Sequence, residues 1–110
     1  MEDDKLLAAV KSVFDREPEL VYSREYVAFM SGVDDRKMRD ALVALRTQGN
    51  LIVAGKYGGY QIATTSEEVL RYTASLRSRI VALARVVRAM ESEAARQFGD
   101  FEQLPLDLAG

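Results

Sequence analysis

The sequence predicts a mainly α-helical fold with a small β-hairpin, followed by a long C-terminal helix. Three observations carry this. Apolar residues recur at three- and four-residue steps along most of the chain. Between residues 51 and 63 that spacing gives way to two short extended runs separated by a glycine-rich tip. From residue 65 to residue 98 the helical pattern runs on with neither glycine nor proline.

In the first helix, residues 4–15, Leu6, Leu7, Val10, Val13 and Phe14 form one stripe that ends before Pro18. Ser23 is placed to cap a second, short helix with the apolar residues Val27, Phe29 and Met30, broken at Ser31-Gly32-Val33. Asp34 is a good N-cap for a third helix carrying Met38, Ala41, Leu42 and Leu45, stopped at Gly49-Asn50. Leu51-Ile52-Val53-Ala54 and Tyr60-Gln61-Ile62-Ala63 then read as hairpin strands around Gly55-Lys56-Tyr57-Gly58-Gly59. Thr65 and Glu68 are spaced as a capping box and open the last helix, which runs to Phe98 before Gly99 and is roughly 50 Å long at 1.5 Å per residue. The chain therefore divides into residues 1–64, a helical segment 65–98 and a tail 99–110.

With 110 residues, 48% hydrophobic and 29% charged, the chain has the length and composition of one folded domain with an appendage. It contains no cysteine and no histidine, which removes disulfides, zinc fingers, iron–sulfur ligation and every histidine-based catalytic arrangement. The acidic clusters Glu2-Asp3-Asp4 and Asp34-Asp35 sit at helix starts, where the helix dipole favours them without a metal. The glycine-rich tip lacks the spacing and the following helix of a phosphate loop. No enzymatic activity, cofactor or metal is expected. The polar N-terminus and the lack of an apolar run near 20 residues predict a soluble, cytoplasmic protein with no membrane partner.

The net charge of −2 hides opposite blocks. Residues 1–19 carry three Lys/Arg against six Asp/Glu, and the last twelve carry none against three. Residues 20–64 and 65–98 each carry six against four. Two acidic ends thus flank a mildly basic middle, where the informative motifs fall.

Helix, helix, helix, hairpin and long helix follow one another in the order of a winged helix-turn-helix. Ala28, Gly32-Val33, Met38-Arg39, Leu42, Leu45-Arg46, Gly49 and Ile52 stand where that pattern places such residues, so the stretch 22–59 resembles the winged helix-turn-helix regulators of bacteria and bacteriophages. Residues 4–90 as a whole look like the small winged-helix proteins of phages and prophages. Asp34 departs from the pattern, which often has serine there. The resemblance implies that the third helix enters the major groove of double-stranded DNA and the hairpin reaches an adjacent groove or phosphate. By position, Arg36, Lys37 and Arg39 would contact bases or phosphates, and Lys56 and Tyr57 would serve the wing. It also implies a place on the nucleoid. Asp35 and Asp40 stand beside those cations and are placed to pair with them.

Written as heptads, the last helix gives Val69, Thr73, Leu76, Ile80, Leu83, Val87, Met90, Ala94 and Gln97 at alternating steps of four and three. β-branched residues at a and leucine at d favour a two-stranded coiled coil, so a homodimer through Leu76, Ile80, Leu83, Val87 and Met90 is expected. In the tail, Gln103-Leu104-Pro105-Leu106-Asp107-Leu108 matches Q-L-x-L-x-L and resembles the motif by which bacterial polymerases and replication regulators dock on the β sliding clamp. That resemblance makes Gln103 the register residue and Leu104, Leu106 and Leu108 apolar contacts. Two function classes result: a dimeric DNA-binding transcription or replication regulator, and a protein-interaction adaptor or clamp-binding inhibitor without sequence-specific DNA binding.

Overall fold

The computed structural model describes residues 2–55 and 57–99. Its elements are α1 (Glu2–Arg16), α2 (Arg24–Ser31), α3 (Asp35–Thr47), β1 (Ile52–Ala54), β2 (Tyr60–Ile62) and α4 (Ser66–Phe98). The protein is mainly helical, with a small two-stranded antiparallel sheet and a long C-terminal helix. The expected order of elements is the observed one. The chain divides into two compact units, Met1–Tyr72 and Thr73–Gly110, so the first turns of α4 belong with the helices and hairpin.

In the first unit, α1, α2 and α3 pack around one core. The expected stripe of α1 is buried at Val10, Val13 and Phe14, and that of α3 at Met38, Ala41, Leu42 and Leu45. Phe14, Met38, Leu42, Ile52, Val10 and Val27 are completely enclosed, each stabilising the unit by about 2 kcal/mol. In α2 only Val27 is buried. Phe29 is 79% exposed because two residues along a helix turn its side chain about 200° from that of Val27.

The two caps that bring α2 and α3 together form as expected. Ser23 Oγ accepts from the Tyr26 amide at 3.1 Å, and Asp34 Oδ1 accepts from the Lys37 amide at 2.8 Å. Between the helices the Val33 amide donates to the Ala28 carbonyl at 3.2 Å, closing the turn around Gly32.

The hairpin pairs Ile52 with Ile62, Val53 with Gln61 and Ala54 with Tyr60. Each strand is one residue shorter than expected at its open end. The Ile52 amide bonds back to the Asn50 carbonyl at 3.0 Å, which bends Leu51 out of the ladder, although Ala63 still donates to the Leu51 carbonyl at 2.9 Å. A feature not expected from the sequence lies on the other side of β2. Tyr22, in the α1–α2 connection, forms an antiparallel bridge with Tyr60 through two 2.8 Å backbone hydrogen bonds. The bridge ties the hairpin to the α1–α2 connection. Tyr22 is itself anchored: its hydroxyl donates to the Glu17 carbonyl at 2.8 Å, and its ring meets Phe14 edge-on at 5.5 Å and stacks with Tyr26 at 5.7 Å.

Two devices attach the start of α4 within the same unit. Thr65 Oγ1 accepts from the Glu68 amide at 3.2 Å, the expected half of the capping box. The return half is displaced by one residue, since the Glu68 carboxylate accepts from the Thr64 amide at 3.3 Å and the Thr64 hydroxyl at 3.1 Å. It also accepts from Gln61 of β2 at 3.2 Å. The hydrogen bonds from Thr64, and then Gln61, hold the Glu68 pKa below the usual glutamate range. Secondly, the Arg46 Nε donates to the Ile52 carbonyl at 2.6 Å while its guanidinium lies over the rings of Tyr60, at 5.7 Å, and Tyr72, at 4.8 Å.

Candidate nucleic-acid interface

The inward side of α3 is marked by Met38, Ala41, Leu42 and Leu45, and at 100° per residue this places the charged residues on different faces of the helix. Arg36 points almost directly away from the buried face. Arg39 lies on one flank and Lys37 on the other. All three are exposed. The three cations grouped together in the sequence are therefore distributed around the helix. Lys37 shares a surface groove with Lys5 and Ala9 of α1 and with Asp40 and Val33.

Arg39 is engaged by the protein itself. Its Nε donates to Asp35 Oδ2 at 2.9 Å, one helical turn earlier, and Asp35 Oδ1 accepts from the Nε of Arg24 at 2.9 Å. Arg24 is the first residue of α2 and was not among the residues singled out from the sequence. Nothing in the local sequence marks it, because it meets Asp35 only where α2 and α3 cross. From Asp34 to Asp40 the chain carries three cations and three carboxylates, so the N-terminal half of α3 is locally neutral.

Tyr60 of β2 is within electrostatic reach of this cluster. Burial pushes its hydroxyl pKa up, and the positive charges of Arg24 and Arg46 pull it partly back. At the hairpin tip Tyr57 is 91% exposed, while Lys56 lies outside the described residues. The tip depends on two glycines with positive φ. Gly58 has φ +90° and open space where a side chain would begin. Gly59 has φ +72°, and a Cβ there would stand 2.6 Å from the Tyr22 carbonyl oxygen.

On α4, Leu76, Ile80, Leu83, Val87 and Met90 share one face, as their spacing requires. Leu76 and Val87 are half-buried, whereas Leu83 and Met90 are 64% and 68% exposed. Leu70, Val81 and Val86 are also exposed but lie off that line, which makes the apolar surface wider than a strict seam. Near its end Glu93 accepts hydrogen bonds from Arg96 and Gln97, which lower its pKa. The clamp-motif residues Gln103, Leu104, Leu106 and Leu108 lie outside the described residues.

Among the described residues no three or more acidic side chains gather into a possible metal site, and no helix is long and apolar enough to cross a membrane. Comparison with protein-family models, with curated proteins and with solved structures returns no match.

Proposed function

We propose that this chain is a winged-helix protein that docks α3 in the major groove of duplex DNA, works as a homodimer through α4, and regulates transcription or replication as a phage or prophage protein, with a tail that recruits the β sliding clamp. The observation that carries the DNA reading is the placement of Arg36 opposite the buried face of α3, with a cation on each flank. A helix laid in a groove meets base edges along its outermost line and the two phosphate strands along its flanks. Arg36 is then the base-reading residue, its planar fork suited to guanine, while Lys37 and Arg39 face phosphates. The exposed leucine and methionine line of α4 supports the dimer, since a second copy of the same helix supplies a matching face.

The local balance of three cations and three carboxylates favours the rival adaptor role, in which the same fold is a scaffold for protein contacts. A fluorescence titration of duplex DNA separates the two. Binding at low salt with a shallow salt dependence is expected, since only about four cations per protomer are candidates for phosphate contact. Arg36→Ala should cost about 1–3 kcal/mol on the preferred sequence, and Lys37→Ala should flatten the salt dependence by about one phosphate contact. Absence of binding at low salt overturns the DNA role and leaves the adaptor.

A further inference from the structure

We propose that Arg24 and Arg39 form a two-armed site for a DNA backbone phosphate, and that Asp35 occupies it in the free protein as an internal competitor which the phosphate must displace. This rests on the DNA-binding role above and adds to it a residue outside the recognition helix and a restraint on affinity.

Each oxygen of the Asp35 carboxylate serves a different arginine: Oδ1 the Nε of Arg24 and Oδ2 the Nε of Arg39, both at 2.9 Å. The arginines come from two helices, and a single anion holds their guanidinium groups within reach of each other. A phosphate group has the same demand for two donors, carries more acceptor oxygens, and matches the guanidinium fork better than a carboxylate does. All three side chains are about half exposed, so a ligand can reach them without unpacking the core. Exposed ion pairs are individually weak and open readily.

The site is positioned rather than loosely assembled. Ser23 caps α2 immediately before Arg24, and Asp34 caps α3 immediately before Asp35, so both helix starts are pinned by hydrogen bonds. The site therefore lies where the starts of α2 and α3 meet, on the flank of α3 next to Arg36. In the free protein, Asp35 cancels one of the two positive charges. A weakly attractive phosphate site lowers affinity for all DNA alike, so that binding stays weak except where Arg36 adds a good base contact.

The test is fluorescence anisotropy on a mixed-sequence duplex about three helical turns long, between about 50 and 200 mM salt, using the full-length chain. Asp35→Asn should tighten binding about fivefold and steepen the salt dependence by about one phosphate contact. Asp40→Asn, which removes the same charge from the same helix, should tighten it about twofold at most, through general repulsion. Arg24→Gln, which leaves α3 untouched, should weaken binding about fivefold and reduce the gain from Asp35→Asn to that from Asp40→Asn. Thermal melts establish that each variant is folded, and Arg24→Gln alone remains decisive if Asp35→Asn does not fold. Equal effects of the two carboxylate changes, or unaltered affinity in Arg24→Gln, overturn the displaced-competitor site while DNA binding by the parent protein still stands. If neither the parent nor Asp35→Asn binds DNA, both proposals fall together.

Discussion

Replacing Gly59 by alanine probes how the hairpin is held against the helices. Gly59 adopts φ +72°, which costs an alanine about 1–2 kcal/mol in backbone conformation. The new Cβ would also stand 2.6 Å from the Tyr22 carbonyl oxygen. That oxygen is backbone, fixed by the paired 2.8 Å hydrogen bonds between Tyr22 and Tyr60, so it yields only if the bridge opens. Overpacking of this kind adds about 1–3 kcal/mol, and the total for Gly59→Ala is about 2–5 kcal/mol, centred at about 3.5. Gly58→Ala is the matched control: its φ of +90° is comparable, but nothing lies within 4 Å of the added atom, so only the backbone cost of about 1–2 kcal/mol applies. At roughly 4 °C per kcal/mol for a chain of this size, thermal unfolding should fall by about 6 °C for Gly58→Ala and about 15 °C for Gly59→Ala. Amide exchange at Tyr22 and Tyr60 should quicken in the second variant and hold in the first. Equal melting temperatures for the two variants would refute the claim that the Tyr22 carbonyl limits the space at Gly59.

Three further outcomes can be checked. Leu83→Asp places a charge in the middle of the exposed line on α4, and light scattering should show a dimeric parent and a monomeric variant; the same mass for both removes the dimer. Glu68, whose folded pKa is depressed by hydrogen bonds from Thr64 and Gln61, contributes stability that is present above the unfolded glutamate value and lost as pH falls through the lower folded value. Urea melts of Glu68→Gln should accordingly lose less stability than the parent on acidification through that window, and parallel pH profiles would discount the Glu68 cap. The doubly substituted tail Gln103→Ala, Leu106→Ala should fail to retain β sliding clamp on a column that the parent protein retains, and equal retention would end the clamp assignment.

What could be read directly from the chain was whatever is local. The stripes of α1 and α3, the caps at Ser23, Asp34 and Thr65, and the change of period after Asn50 all arise from residues within a few positions of one another, and each element forms where they place it. The Tyr22 bridge left no such mark, because a single extended residue has no period, and its partner is 38 positions away. Phe29 shows a different limit: in the eight-residue α2, apolar character alone does not identify the buried face. The candidate site divides in the same way. Arg36, Lys37 and Arg39 could be found from their helix, but their distribution over three faces follows from which residues the core claims. Arg24 joins them only through a crossing of two helices, a contact between distant positions that no spacing rule encodes.

Arg46 has a practical bearing on where the chain can be cut. Its guanidinium lies over rings from β2 and α4, and its Nε donates to the Ile52 carbonyl at the start of the hairpin. A fragment ending at residue 64, the natural place to trim if α4 were only a handle, would lose the Tyr72 ring and the Glu68 carboxylate that holds Gln61. The smallest piece that keeps its hairpin seated therefore extends through Tyr72, two turns into α4.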